Sequence, residues 1–550
     1  MRKATVCLLL FFFSSSLLAQ DFLAKNEYYF TLTNRLDLLV VEDTAAQNMT
    51  LALVFKCGSF TEGAAYDGMS FLYERILTQR LREQMKQIIP DTRAFAITSE
   101  TSLEYLFAGI TFPTHQLADV LQAVYRCVTP PVNQSEIQDA VAFSNSESAR
   151  LAADTFTSLE QKIQSVLWID DYKKRTTVTS WTDSSSPLIP ERINKLKSMY
   201  FCPRSCLMLV KGKVVHKAVY EKVKDIFTQW ERCTINPFTK YPDNVYKTVL
   251  RSAQIVEENQ QMHSHFFRIA FPGPNTFEDK KGNYCMLVLA SMLSNPHSRL
   301  RRMLADSCHV ASVSLQNDLA KNISQVTFQF SLHPAYLPDG FECARSLLLQ
   351  PLNDSIINAQ ELESAKQLLI ASYRQTKADN ARHVHLIAKY WASVTLNEYS
   401  TFEDSIRAIT LQDMKTMAEK YFLGRKYVAG LSISPALRKS SRIDSVFTSA
   451  SPHIASYRIN FLKNSAVPAS AADDSVLVSV IQFLKINPEL KIKVNGVCHK
   501  SELLEVTDKE MLAWKRSLQG FIVNPPSVAR KKFRLDIYRS LTVIRKLIAA

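Results

Sequence analysis

Apolar residues recur along the chain with strand-like and helix-like spacing, in a pattern that occurs twice. In the first copy, the apolar run at residues 51–57 predicts a strand, and a helical pattern starts after Gly68. In the second copy, residues 266–274 predict the corresponding strand and residues 284–293 the corresponding helix. The repetition predicts an internal duplication.

Both copies also end in the same way. A helical pattern closes with Tyr200-Phe201 in the first copy and with Tyr421-Phe422 in the second. An apolar strand follows each pair after a short turn. Because the opening and closing patterns both recur, we expect the two copies to have the same order of elements.

The spacing predicts two units of the α+β class, each a sheet covered by helices, at residues 28–235 and 245–435. Residues 236–244 are polar and contain proline, which predicts a short connection between the units. A polar, serine-bearing stretch after the second unit predicts a linker at residues 436–455.

The final segment, residues 456–550, changes character. Its apolar and polar stretches predict the order strand, helix, strand, helix, and therefore a small separate α/β module. Residues 529–550 interleave Lys and Arg with apolar residues, which predicts a basic amphipathic helix. Such a helix docks on its own domain or touches an anionic membrane or polymer.

The N-terminus has the pattern of a secretory signal at residues 1–20. A basic start, Arg2-Lys3, precedes an apolar run that is too short to span a bilayer, and Ala19 precedes polar residues. No later stretch is long and uncharged enough for a transmembrane helix. We therefore expect an exported, periplasmic protein, associated with the outer membrane or cell wall.

The net charge indicates which partners are favoured, and the spacing of the cysteines indicates which metal or disulfide sites are excluded. The formal net charge is +14 and the pI about 9.2, which in an exported protein favours cell-wall polymer or membrane surface over nucleic acid. Cys7 lies in the predicted signal, and the other nine of the ten cysteines are scattered, without Cys-x-x-Cys pairs. This pattern is neither a zinc ribbon nor a dense disulfide framework. Cys202 and Cys206 are close enough in sequence to bridge, although that is the less favoured outcome.

The helix that follows Gly68 has a simple interpretation. Its apolar residues recur at spacings of three and four, as in an amphipathic helix that packs on a core. The residues with this spacing are Met69, Leu72, Tyr73, Ile76 and Leu77.

The duplicated units, the helix after Gly68 and the strand at 266–274 together resemble the pitrilysin/insulinase family of zinc peptidases, over roughly residues 28–440. In that family the helix carries His-x-x-Glu-His, in which the histidines bind zinc and the Glu activates the zinc-bound water. The resemblance places Phe71 and Arg75 at the histidine positions and Glu74 at the catalytic position. Phe has no lone pair to donate, and Arg stays protonated and repels Zn²⁺.

The resemblance implies further losses. The third zinc ligand of the family, a distal Glu, falls on Phe143 in the preferred register, with Glu147 nearby. An Arg and a Tyr from the second unit fall in residues 304–311, where this chain has Ala305 and Ala311. The resemblance therefore implies that Glu74 is vestigial and that the protein binds neither zinc nor another cofactor. The alternative is a zinc-dependent metalloendopeptidase that uses non-standard ligands such as Glu74 or Glu147.

The C-terminal module resembles the outer membrane protein A-like peptidoglycan-binding domain in residues 461–466 and 483–496. In that family an Asp after a Gly and an Arg on the next helix hold the diaminopimelate of the wall peptide. Arg516 corresponds to the Arg, whereas His499 stands where the Asp is usual. Weak binding of peptidoglycan through Arg516 is therefore implied, because a guanidinium alone can still pair with a carboxylate.

The sequence thus predicts an exported, non-catalytic pitrilysin/insulinase-like protein that binds peptides or pairs with an active zinc peptidase near the cell wall. A structural envelope protein that associates with peptidoglycan is a further alternative. No nucleic-acid partner is expected.

Overall fold

The computed structural model describes most of the two predicted units. The described residues are 23–62, 66–168, 177–178, 181, 188–234, 252–259, 265–321, 324–349 and 356–447. The predicted signal, the predicted C-terminal module and Arg516 lie outside them.

Two separate sheets contain the strands of the described residues. In chain order the strands are β1 (Glu27–Thr31), β2 (Asp37–Glu42), β3 (Asn48–Phe55), β4 (Ala96–Thr101), β5 (Leu106–Pro113), β6 (Cys206–Gly212), β7 (Ala253–Glu258), β8 (Phe266–Pro272), β9 (Val310–Asn317), β10 (Gln325–Leu332) and β11 (Val428–Ile433). The first sheet has the spatial order β1-β2-β6-β3-β5-β4 and the second β7-β11-β8-β10-β9.

The two sheets share one topology, which establishes the duplication in three dimensions. Strands β2, β6, β3, β5 and β4 correspond in order to β7, β11, β8, β10 and β9. In both sheets the first of these pairs, β2 with β6 and β7 with β11, is parallel, and the remaining pairs are antiparallel. The α+β class with two sheets is confirmed, and β1 is an additional strand at the edge of the first sheet.

Helices occupy the connections from β3 to β4 and from β5 to β6 in the first unit, and from β8 to β9 and from β10 to β11 in the second. The helices of the described residues are α1 (Met69–Ile88), α2 (Leu117–Val128), α3 (Gln134–Ala153), α4 (Thr155–Leu167), α5 (Leu188–Tyr200), α6 (His216–Phe227), α7 (Lys280–Ser294), α8 (Arg299–Asp306), α9 (Leu337–Leu349), α10 (Ala359–Ala378), α11 (Asn380–Ser393), α12 (Leu396–Ser400), α13 (Phe402–Arg407), α14 (Leu411–Tyr421) and α15 (Pro435–Ser441). Helices α5 and α14 end at Tyr200 and Tyr421, as the sequence predicts.

The strand β3 has one face in each of two cores, because side chains alternate between the faces of a strand. Leu51 and Leu53 pack in a core with apolar residues of α1 and α2 from the same unit. Ala52 and Val54, on the other face, pack in a core that includes Ile387 of α11, from the second unit. The arrangement is reciprocal, since α4 of the first unit packs on the second sheet along β7, β8 and β11. The two units are therefore interlocked by exchanged helices.

Two disulfides differ from the sequence-based expectation. Cys202 pairs with Cys233, and Cys308 pairs with Cys343. Cys206 is a free thiol, buried in the first strand position of β6. The neighbour in sequence is thus not the partner, because the side chain of Cys206 belongs to the core of the first sheet.

Two further expectations concern chain segments. The start of the predicted linker at 436–455 is folded, because α15 and a 3₁₀ turn at Ile443–Ser445 occupy its first residues. Across the part of the chain that the structure describes, no helix is both long enough and apolar enough to cross a bilayer.

Candidate functional site

The start of α1 is built around a buried carboxylate. Gly68 precedes the helix with φ of 78°, a conformation that glycine adopts without strain. The carboxylate of Glu62 accepts hydrogen bonds from the backbone N–H of Gly68, at 2.7 Å, and from that of Ser70. These bonds satisfy N–H groups that the helix itself leaves unpaired, and the positive end of the helix dipole favours the carboxylate. Burial nevertheless raises the pKa of Glu62 to about 7.

The structure brings the three predicted former ligand positions together on α1 and α3. The rings of Phe71 and Phe143 stack with centroids 6.3 Å apart and an interplanar angle of 20°. The guanidinium carbon of Arg75 lies 3.8 Å from the centroid of the Phe143 ring, a cation–π contact. Aromatic carbon and a guanidinium therefore occupy the place where the resemblance expects metal-binding atoms.

Glu74 is directed into the protein beside this cluster. The residue is 8% exposed, and its carboxylate accepts a hydrogen bond from the hydroxyl of Thr78 at 3.2 Å. Burial raises the pKa of Glu74, and hydrogen bonds from Ser99 and Thr78 act in the opposite direction. The carboxylate is thus held by local hydroxyls inside the fold.

The edge strand β4 runs alongside α1. It pairs with β5 from Ala96 opposite Thr111 to Thr101 opposite Leu106, and no described strand pairs with its other edge. Ser99, whose hydroxyl reaches Glu74, belongs to this strand. An open strand edge beside α1 offers unpaired backbone N–H and C=O groups to an extended peptide.

The remaining predicted site residues have other partners or belong to the second unit. Glu147 forms two hydrogen bonds with Arg150 on the same helix, at 2.9 and 2.6 Å. Ala305 belongs to α8, and Ala311 is an exposed residue of β9 in the second unit. Within the described ranges, no group of three or more His, Cys, Asp and Glu side chains is arranged to hold a metal ion.

Two histidines on α11 point in different directions, as expected for residues two apart on a helix. His383 is 3% exposed, and its Nδ1 lies 3.1 Å from the ammonium of Lys211. His385 is partly exposed and lies 2.7 Å from the carboxylate of Glu100 on β4. Neither histidine contributes to a metal-type cluster.

Sequence reasoning did not identify Glu62 as part of this region. Its backbone partners lie six and eight residues further along the chain, across a loop. The two acidic residues between Gly58 and Gly68, Glu62 and Asp67, give no periodic signal. A carboxylate preceding an apolar helix without an N-cap side chain could have indicated such a role.

The fold is that of M16-like peptidase domains, as three solved structures show. A protease from Helicobacter pylori is similar with a TM-score of 0.63 and 16% identity, over 74% of this chain and 99% of that chain. The first half of the periplasmic protease PqqL from Escherichia coli is similar with a TM-score of 0.62 and 12% identity, over 79% of this chain and 98% of that chain. A chain of complex III2 from Candida albicans, with Inz-5 bound, is similar with a TM-score of 0.59 and 13% identity, over 74% of this chain and 95% of that chain. Against the complete PqqL chain, this chain covers 46% of that chain.

The family described as "Peptidase M16 inactive domain" matches residues 188–369, from α5 to the middle of α10. No curated protein matches the sequence. The matched segment spans the join between the two units and most of the second one. It supports the predicted resemblance to the pitrilysin/insulinase peptidases for that part of the chain.

Proposed function

We propose that this chain is a non-catalytic protein that binds extended peptides on the fold of an M16-like peptidase. The observation that carries the proposal is the packing of Phe71, Arg75 and Phe143 against one another beside Glu74. None of the three offers a lone pair that Zn²⁺ accepts in proteins. Without a metal there is no activated water for peptide hydrolysis at this position.

The open edge of β4 supplies the binding surface in this proposal. A peptide that adds to a sheet edge gains a ladder of backbone hydrogen bonds, which needs no catalytic group. Side chains of β4 are exposed or partly exposed along its whole length, and no described strand pairs with its outer edge. The retained fold and the altered ligand positions are together consistent with binding without cleavage.

Zinc binding and peptide cleavage test the proposal directly. Calorimetric titration of the mature protein with Zn²⁺ should show no stoichiometric site, and extended peptides should bind without being cleaved in a mass-spectrometric assay. The combined substitutions Phe71→His, Arg75→His and Phe143→Glu should create a zinc site, because they restore two imidazoles and a carboxylate around Glu74.

One result would instead establish the metallopeptidase alternative. That result is stoichiometric zinc on the wild-type protein that is lost in Glu74→Gln or Glu147→Gln. Ser146→Ala, an exposed position on the same helix as Glu147, serves as the matched control and should not alter metal content.

A partner that supplies a second pair of such units is a related candidate. The chain covers 46% of the periplasmic protease PqqL, and another similar chain belongs to complex III2. We infer that an active homologue with an intact His-x-x-Glu-His helix is the partner. Sedimentation of an equimolar mixture should give one 1:1 species; two independent boundaries would contradict the pairing.

We also propose that the protein is periplasmic and held near the wall by its tail. The predicted signal at residues 1–20 supports export, and the two disulfides fit an oxidising compartment. Cosedimentation with peptidoglycan tests whether the predicted C-terminal module, residues 456–550, binds the cell wall. Binding should fall in Arg516→Gln, and equal binding by both proteins would remove Arg516 from the proposal.

A further inference from the structure

The guanidinium of Arg75 has no acidic partner. Within the part of the chain that is described, Arg75 donates no hydrogen bond and forms no ion pair, and its guanidinium lies over the ring of Phe143. Arg80, five residues later on the same helix, is the opposite case. Its guanidinium pairs with Glu136 at 2.5 Å and donates to the carbonyl oxygens of Cys127 and Pro131. Arg75 is thus placed without the acceptors that normally satisfy an arginine.

The stacking on Phe143 fixes how Arg75 is presented. A guanidinium that lies over a ring uses its face for the contact, whereas its five N–H donors lie in its plane. The guanidinium carbon of Arg75 lies over the Phe143 ring, 3.8 Å from its centroid, and this contact does not use the N–H donors in hydrogen bonds. A planar acceptor such as a carboxylate can pair with two of these donors at once.

A second positive charge lies on the same side of α1. Arg82 follows Arg75 by seven residues, which is close to two full turns and therefore the same helical face. The pKa of Arg75 is lowered by burial and then by the charge of Arg82, whereas the charge of Glu74 opposes the change. The Glu74 carboxylate is buried and accepts from Thr78, so it does not neutralise the open side of the guanidinium.

The edge of β4 passes close to this cation. Strand β4 packs against α1, and the hydroxyl of Ser99 on β4 acts to lower the pKa of Glu74, the residue before Arg75 in α1. A peptide that pairs with β4 at the level of Ser99 therefore runs beside the guanidinium. Arg75 and the strand edge thus belong to two elements that pack against each other.

We propose that Arg75, stacked on Phe143 and accompanied by Arg82, is a carboxylate-binding subsite for a peptide bound along β4. The chain then selects peptides that place an acidic side chain or a C-terminal carboxylate beside Arg75. This inference rests on the proposed peptide binding and specifies which peptides are bound.

Random peptide libraries test the subsite with the full mature chain. One octapeptide library carries free C-terminal carboxylates and the other is amidated, and the bound peptides are identified by mass spectrometry. Enrichment of Asp and Glu in both libraries identifies a side-chain carboxylate as the ligand. Enrichment of the free-acid library alone identifies the C-terminal carboxylate. Either enrichment should be about ten-fold, as expected for charge-assisted hydrogen bonds.

Three variants separate the guanidinium from general charge. Arg75→Gln should lose the enrichment, and Arg75→Lys should retain part of it, because an ammonium keeps the charge but not the planar fork. Arg302→Gln, at an exposed position of α8, removes one charge elsewhere and should behave as the wild type. Thermal unfolding of each variant checks that the fold is intact.

Two outcomes would overturn the inference in different ways. If the wild type and Arg75→Gln bind peptides of the same acidic content, the subsite is wrong although peptide binding stands. If the wild type retains no peptide from either library, the proposed function fails and the subsite fails with it.

Discussion

At the scale of single residues, the buried carboxylate of Glu62 binds the backbone at the start of α1. The residue is 7% exposed, yet its carboxylate accepts hydrogen bonds from two backbone N–H groups at the start of α1. These bonds stabilise the ionised form, whereas burial stabilises the protonated form, and burial is the larger effect. The position of α1, and with it Phe71 and Arg75, depends on this balance.

Ionisation of Glu62 should lower the free energy of unfolding as the pH rises. The pKa is raised from an ordinary value of 4.5 to about 7 in the folded protein, so the folded state binds the proton more tightly. The resulting stabilisation is complete below pH 4.5 and is lost as the pH rises to about 7, with a total of up to about 3 kcal/mol. Urea unfolding across this range should show the decline in the wild type and a smaller decline in Glu62→Gln.

The comparison with Glu62→Gln isolates this group from the others that titrate. Glutamine keeps one acceptor for the helix N–H groups but cannot ionise. Parallel pH profiles for the two proteins would show that Glu62 does not titrate in the predicted range.

The residues of the candidate site were predictable to different degrees. Phe71, Arg75 and Glu74 follow from one local motif, so their common helix could be assigned from the sequence. The contact of Phe143 with Phe71 joins two helices, and only the loose spacing of a resemblance indicated it. Glu62 was not assigned, because a carboxylate that binds the start of a helix from outside it has no fixed sequence spacing from that helix.

At the scale of elements, Gly430 permits the close approach of α4 to the second sheet. A Cβ atom on Gly430 would lie 2.6 Å from Cδ1 of Ile163 and 2.9 Å from Cδ1 of Leu159. Contacts this short require the helix or its side chains to move. Gly430 lies in the interior of β11, where the ordinary preference of a strand is for larger residues.

The substitution Gly430→Ala should destabilise the protein by about 1–3 kcal/mol, because an extra methyl group overpacks this contact. The loss should be smaller when it is made together with Ile163→Val, which removes the nearer Cδ1 atom. A double-mutant cycle of urea unfolding measures this coupling. If Gly430→Ala is equally destabilising in the wild-type background and in the Ile163→Val background, contact with Cδ1 of Ile163 is not the cause of the destabilisation.

The sequence predicted the elements better than their packing. Strand β3 and helices α1 and α7 lie within a few residues of their predicted positions, because each has a clear apolar period. The exchange of α4 and α11 between the sheets was not predicted. Both helices follow a helix of their own unit, and no local pattern states which sheet a helix covers. The partner of Cys202 was unpredictable for the same reason, since it depends on how α6 returns to β6.

At the scale of the whole molecule, a buried polar network joins the two units. Nε2 of His383 lies 2.6 Å from the hydroxyl of Tyr399, which donates to Glu27 at 2.6 Å. On the other side of the ring, Nδ1 lies 3.1 Å from the ammonium of Lys211. Glu27 and Lys211 come from β1 and β6, whereas His383 and Tyr399 come from α11 and α12. The network therefore crosses the interface made by the exchanged helix α11.

His383 should make this interface sensitive to acid. Burial lowers the pKa of His383 to about 3, and the charges of Lys211 and Lys377 act in the same direction. The unfolded chain takes up the proton near the ordinary pKa of 6.5, so stability is complete above that pH and is lost as the pH falls toward 3, by a few kcal/mol. Urea unfolding should show a steeper acid loss in the wild type than in His383→Gln. His385→Gln, on the same helix, keeps the network and should retain the wild-type slope.

Because the network joins both units, hydrogen exchange at pH 4 should show β1 and α11 losing protection together. Loss of protection in one unit alone would contradict a shared interface.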